Sequence, residues 1–285
     1  MTARVPGLGL PLPVRRWWWP HARAGRRGSV EGETVVKPSS FAVGSPCWVD
    51  ATVPDMEVAR RFYGSVFGWA FADQGRDHGH YTMCLLNDIP VAALMPPQPG
   101  DGAPPMWNVY FATPDVDAAA RVAAQHDGKV IVQPVDVGDS GRMAFVADPT
   151  GATFGLWQGR GHTGAGLWGD PGAVTWNELA TPDGAVADAF YRAVFDYDAQ
   201  TPADAGVTVW KAGGQEVCSR RQTAESEPQW ITYFAVADTD EAVGNVRRQG
   251  GRVEREPWDS PHGRLACVAD PAGISFRLAG PVPGV

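Results

Sequence analysis

Two short stretches of this sequence set an indole and a carboxylate two residues apart: Trp48-Val49-Asp50 and Trp176-Asn177-Glu178. On a strand, side chains repeat every second residue, so each pair shares one face. An indole offers flat apolar area with a polar edge, which suits a planar, partly hydrophobic organic ligand. A carboxylate in such surroundings is poorly hydrated, so its pKa tends upward and it becomes suited to work as a general acid or base. The same residues have a plainer use: tryptophan on a sheet is often core, and Asp50 or Glu178 could pair with Arg142, Arg264 or Arg277.

Other chemistries find little support. His78 and His80 form an H-x-H pair, but "DQGRDHGH" is a polar, Gly-bearing stretch that reads as a loop with solvated imidazoles. His126, His162 and His262 stand alone in sequence, and His262 lies in the hairpin turn of "DSPHGR". There is no G-x-S-x-G, no Walker loop and no G-x-G-x-x-G after a strand. Cys47, Cys84, Cys218 and Cys267 are far apart with no C-x-x-C, which predicts reduced structural thiols in a cytoplasmic protein. A formal net charge of −8 over 285 residues argues against a nucleic-acid or membrane surface, and no apolar run is long enough for a membrane helix. Residues 1–40 depart from this balance, with seven basic and two acidic residues, and read as a disordered basic tail or a mis-assigned translation start.

The elements that must hold these residues are repeated. "CWVDATVPD" from Cys47 matches "TWNELATPD" from Thr175, and "FYGSVFGW" from Phe62 matches "FYRAVFDY" from Phe190. "MWNVYFATPDVDAA" from Met106 matches "QWITYFAVADTDEA" from Gln229, and "GRMAFVADPTGATFGLW" from Gly141 matches "GRLACVADPAGISFRLA" from Gly263. The plan is A-B-A-B, with modules at 45–98, 104–160, 172–223 and 227–281. Gly- and Pro-rich stretches at 96–105 and 159–172 read as linkers between them. Each module reads as a strand, a turn whose Asp (Asp55, Asp115, Asp183, Asp238) caps a helix, then three strands separated by tight turns. In the first and third helices, Val58, Phe62, Val66, Phe67 and Val186, Phe190, Val194, Phe195 define the apolar faces. The predicted class is α+β, four βαβββ modules, and one module alone has too little chain to cover its sheet, so the modules must pair.

The motif running from Val53-Pro54-Asp55 through "FYGSVFGW" to Trp69, and the two D-P-x-G-x-x-F turns, resemble the vicinal oxygen chelate (glyoxalase, dioxygenase and bleomycin-resistance) superfamily. The resemblance spans about 235 residues and implies two domains, 45–160 and 172–281, each with a cup-shaped mixed sheet that holds a ligand. It also implies where a divalent metal would sit in related enzymes: a His on the first strand of a module and a Glu on the last. Those positions here are Trp48, Asn108, Trp176 and Ile231, then Gly155 and Arg277, so no metal and no other cofactor is expected.

With Trp48 and Trp176 facing the cups, alternation adds Asp50 and Glu178, Asn108 with Tyr110, Ile231 with Tyr233, Gly155 with Trp157, and Arg277 with Ser275. The expected ligand residues are Trp48, Trp176, Asn108, Tyr110, Trp157, Tyr233 and Arg277, with Asp50 and Glu178 as candidate acids or bases. The halves differ, Trp69, Tyr81 and Cys84 standing where the other has Tyr197, Val207 and Trp210, which implies that the cups are not equivalent. Three readings follow: sequestration of a small aromatic or polyketide-like metabolite, as bleomycin-resistance proteins do; acid–base catalysis at Asp50 or Glu178; or vestigial cups. Four modules in one chain predict a monomer or weak homodimer.

Overall fold

The computed structural model describes residues 41–98, 105–201, 206–224 and 227–283. The basic segment 1–40 lies outside the described residues, and with it the expectation of a disordered tail or mis-assigned start. The first module comprises β1 (Pro46–Thr52), α1 (Met56–Phe67), β2 (Ala70–Asp73), β3 (Thr82–Leu86) and β4 (Ile89–Met95). The second comprises β5 (Trp107–Ala112), α2 (Val116–Gln125), β6 (Lys129–Val137), β7 (Gly141–Ala147) and β8 (Thr153–Gly159). The third and fourth repeat them: β9 (Val174–Thr181), α3 (Gly184–Phe195), β10 (Asp198–Gln200), β11 (Thr208–Ala212), β12 (Gln215–Gln222), then β13 (Gln229–Ala235), α4 (Thr239–Arg248), β14 (Arg252–Ser260), β15 (Gly263–Ala269) and β16 (Ser275–Gly280).

Modules pair in chain order. One eight-stranded mixed sheet runs β2-β3-β4-β1-β5-β8-β7-β6, and its counterpart runs β10-β11-β12-β9-β13-β16-β15-β14. In each, the first strands of the two modules lie antiparallel at the centre, Trp48 opposite Tyr110 and Trp176 opposite Tyr233. Asp55, Asp115, Asp183 and Asp238 cap the four helices, each side chain accepting from backbone N–H groups of the first turn. The tight turns use left-handed backbone where a reversal needs it, at Asn87-Asp88 and Gly213-Gly214.

One face of each sheet packs with the helices into a core common to both halves, while the other forms a cup. α1 meets α4 and α2 meets α3 across the halves, and Phe62 and Phe67 of α1 lie against Phe276 and Phe234 of the other sheet. The two D-P-x-G turns fasten this arrangement. Asp148 Oδ1 accepts the N–H groups of Thr150, Gly151 and Ala152, and its Oδ2 accepts from Tyr191 OH on α3 at 3.1 Å. Asp270 does the same for Ala272 and Ile274 and accepts from Tyr63 OH on α1, also at 3.1 Å. Trp69 Nε1 donates to Gly172 O at 2.7 Å, and Tyr197 OH donates to Gly44 O at the equivalent place.

Phe62, Val66, Phe67, Phe190 and Phe195 are buried as the helical spacing predicts, and the crossed bonds add a tyrosine to each face. Val186 is exposed and Val58 only half-buried, while Tyr63 and Tyr191 are fully buried. A tyrosine can take the core position because a buried carboxylate of the other half satisfies its hydroxyl. The stretch at 159–172 also differs from a loose linker: it folds back against the first sheet, with Ala165 N donating to Cys47 O and Gly166 N donating to Pro90 O, both at 2.8 Å.

Candidate functional site

The two cups are built on equivalent strands and end up unlike. In the first, Trp48, Tyr110, Trp157, Cys47, Ala93 and Ala165 form a buried cluster of their own. Asp50, on the same face of β1 and only 2% exposed, accepts from Tyr110 OH at 2.7 Å, Asn108 Nδ2 at 2.9 Å and Tyr81 OH at 3.1 Å. Trp48 Nε1 donates to Tyr81 OH at 2.8 Å. Burial pushes the Asp50 carboxyl above the usual carboxylate range, against the pull of the three donors. His162 packs against this cluster: its ring lies edge-on to Trp48 with centroids 4.4 Å apart, and its carbonyl accepts from Trp157 Nε1 at 2.9 Å. At Gly155, a Cβ would fall 2.2 Å from Cδ1 of Tyr110. The first cup is therefore filled by its own side chains and by the segment that follows β8.

The second cup is open. A cavity of about 150 Å³ is lined by Trp176, Glu178, Ser219, Arg221, Tyr233 and Trp258, with His262 and Leu265 from the β14–β15 hairpin. Glu178 is 6% exposed, accepts from Tyr233 OH at 3.2 Å and forms a close ion pair with Arg221 Nη2. Trp176 Nε1 donates to Ser219 Oγ at 2.9 Å. Burial and the Glu178 carboxylate together push the Tyr233 phenol well above its ordinary range, so it stays protonated and donates. Burial likewise holds the His262 imidazole below its ordinary range. Arg277, on β16 beside Tyr233, faces the same side.

All the predicted site residues are thus gathered, but into two separate groups. Trp48, Asp50, Asn108, Tyr110 and Trp157 share the first cup, and Trp176, Glu178 and Tyr233 line the open one, with Arg277 on the same face of the sheet but outside the cavity lining. The expected ion pairs are corrected. Arg142 pairs with Asp117 and Asp136, Arg264 with Asp240 and Asp259, and Arg277 with Glu254, whereas the partner of Glu178 is Arg221. His162 and His262 are drawn into the cups, while His80 stays at the surface beside Asp73. Arg221, Ser219 and Trp258 were missed, because their place depends on β12 lying parallel to β9 with Ser219 opposite Glu178. That register is written across the sheet and not along the chain.

The donor set does not fit the divalent metal that the resemblance would place here. The positions in question offer indole, amide, isoleucine, a glycine covered by Tyr110 and a guanidinium, and among the described residues no three His, Cys, Asp or Glu side chains converge to hold a metal. No helix of the described residues is long and apolar enough to cross a membrane.

Two eight-stranded mixed sheets, each made of two βαβββ modules around a cup, define a duplicated α+β protein of the vicinal oxygen chelate type. The chain belongs to the Glyoxalase/Bleomycin resistance protein/Dioxygenase superfamily, whose profile matches residues 47–156, and a Glyoxalase-like domain profile matches residues 174–279. It is 40% identical over 257 residues to the glyoxylase-named protein CFP32 of Mycobacterium tuberculosis (strain CDC 1551 / Oshkosh), covering 87% of this chain and 98% of that one. It is 38% identical over 262 residues to the anthracycline biosynthesis protein DnrV of Streptomyces peucetius, covering 84% and 94%. Among solved structures, it is similar in fold to the Mn(II)-bound glyoxalase of Novosphingobium aromaticivorans, with TM-score 0.62, 14% identity and coverage of 84% and 82%.

Proposed function

We propose that this protein binds a small planar aromatic, polyketide-like metabolite in its second cup, without a metal. The observation that carries this reading is the asymmetry of the cups: one is sealed by Tyr110, Trp157 and His162, while the other leaves Trp176, Tyr233 and Trp258 around an unfilled cavity. A cavity of about 150 Å³ takes one benzene-sized ring, and its open mouth lets further rings extend outward. The similarity to a protein named for anthracycline biosynthesis agrees in ligand class. Binding without turnover amounts to sequestration, the role by which such a cup confers resistance.

Titration with 2-naphthol, followed by tryptophan fluorescence, tests the reading. Binding is expected to saturate at one equivalent, to weaken about tenfold in Trp176→Ala, and to be unchanged in the first-cup variant Tyr81→Phe. Loss of binding in Tyr81→Phe, or no saturable binding in the parent protein, overturns it.

One observation favours a second reading, acid–base catalysis. Glu178 faces the cavity and is oriented by Tyr233 and Arg221, as a proton-transfer group needs to be. Incubation with hydroxylated anthraquinones and mass spectrometry of the recovered ligand separates the two. Unaltered ligand supports sequestration, and a product that disappears in Glu178→Gln while binding persists supports catalysis.

A further inference from the structure

Resting on the second cup as the ligand site, we propose that the ligand is an acid: a planar aromatic bearing a carboxylate or equivalent oxyanion, anchored by Arg277 with Arg255 beside it. The two halves provide an internal comparison, because the same fold is built twice. Ser219 lies opposite Glu178 as Ala93 lies opposite Asp50, so Arg221, two residues on from Ser219, corresponds to Met95. Tyr233 pairs with Arg277 where Tyr110 pairs with Gly155, and Cys267 pairs with Arg255 where Phe145 pairs with Val132. Each arginine of the second cup therefore stands where the first has an apolar side chain or none. The fold does not need them.

The local carboxylates account for them only in part. Arg221 is taken by Glu178. Glu254 is shared: its Oε1 accepts from Ser275 Oγ at 2.7 Å and Arg252 Nη2 at 3.0 Å, and its Oε2 is 3.7 Å from Arg277 Nη1, beyond hydrogen-bond range. That Nη1 is buried and makes no hydrogen bond, on a side chain only 16% exposed. Arg255 has no carboxylate partner among the described residues and lies over the Trp258 ring, its guanidinium carbon 3.7 Å from the centroid. Arg277 thus shares Glu254 with Arg252, and the exposed Arg255 has no carboxylate among the described residues, on the strands β16 and β14 that border the cavity through Ala279 and Trp258. A buried cation short of acceptors is costly, and an oxyanion on the ligand supplies them in the geometry that guanidinium favours. Ala279, next after Arg277 on that face of β16, lines the cavity, so the anchor and the ring site adjoin.

The test compares 2-naphthoate with its neutral isostere 2-naphthamide at neutral pH in the parent protein. The acid is expected to bind about tenfold tighter, with the preference shrinking at high salt. In Arg277→Met the acid is expected to fall to the affinity of the amide, with the amide unaffected, and Arg277→Lys is expected to restore part of the difference. Equal affinities in the parent protein overturn the anionic ligand and leave the aromatic cup standing. Binding of neither probe removes the cup reading itself. A preference that survives in both Arg277→Met and Arg255→Met overturns the assignment of the anchor. Should Arg277→Met not fold, the ratio of acid to amide and its salt dependence in the parent protein still decide.

Discussion

Asp50 is a buried carboxylate with three hydrogen-bond donors and no cation, and its titration has a sign that can be worked out. Its pKa is raised in the folded protein, so above the ordinary carboxylate range, about 4, the folded state binds more protons than the unfolded one. Stability contributed by this group is therefore complete at low pH and declines as pH rises towards the folded pKa. Asp50→Asn removes the titration, so the stability of the variant relative to the parent is expected to increase between pH 4 and pH 8, read from paired denaturant melts. A difference that stays constant with pH would contradict it. Alternation along β1 and β9 made the pairing of indole and carboxylate legible in the sequence. What it could not convey was the neighbour across the sheet, which gives Glu178 an arginine and Asp50 two tyrosines and an asparagine.

At the level of elements, the caps and turns were the most readable parts, since an Asp before a helix and a Gly or Asn at a reversal act within a few residues. The two equivalent helices α1 and α3 end differently. α1 stops at Gly68 in the left-handed region, φ 73°, and α3 stops at Asp196, φ 58°. A side chain is strained there and glycine is not, so Asp196→Gly is expected to stabilise the protein by about 1 kcal/mol, measured by urea denaturation. The helix faces were legible only in part. Helical spacing marks Phe62 and Phe190, but it gives no reason to prefer Tyr63 or Tyr191 over Val58 or Val186. That preference comes from Asp270, 207 residues from Tyr63 in the chain, and from Asp148, 43 residues from Tyr191.

For the whole molecule, the repeats announced two sheets, and the structure adds that the halves hold each other's helices. Phe67 packs on Phe234, Phe111 on Trp230 and Phe154 on Tyr191, all across the boundary between halves. Such a core cannot be divided without exposing it to water. Residues 41–168 and 169–283 expressed separately are expected to lack cooperative melts, and mixing them is expected to restore one. A half that melts cooperatively alone would refute the shared core. The contact at Gly155 ties three residues of the first cup together. Any side chain there collides with the Tyr110 ring, and Tyr110 in turn holds Asp50. A residue larger than glycine at 155 therefore requires the Tyr110 ring to move, which takes one of the three donors from Asp50 and leaves Asn108 and Tyr81. Gly155→Ala is thus felt at the carboxylate as well as at the ring, a coupling the second cup escapes because Tyr233 and Arg277 coexist at the same pair.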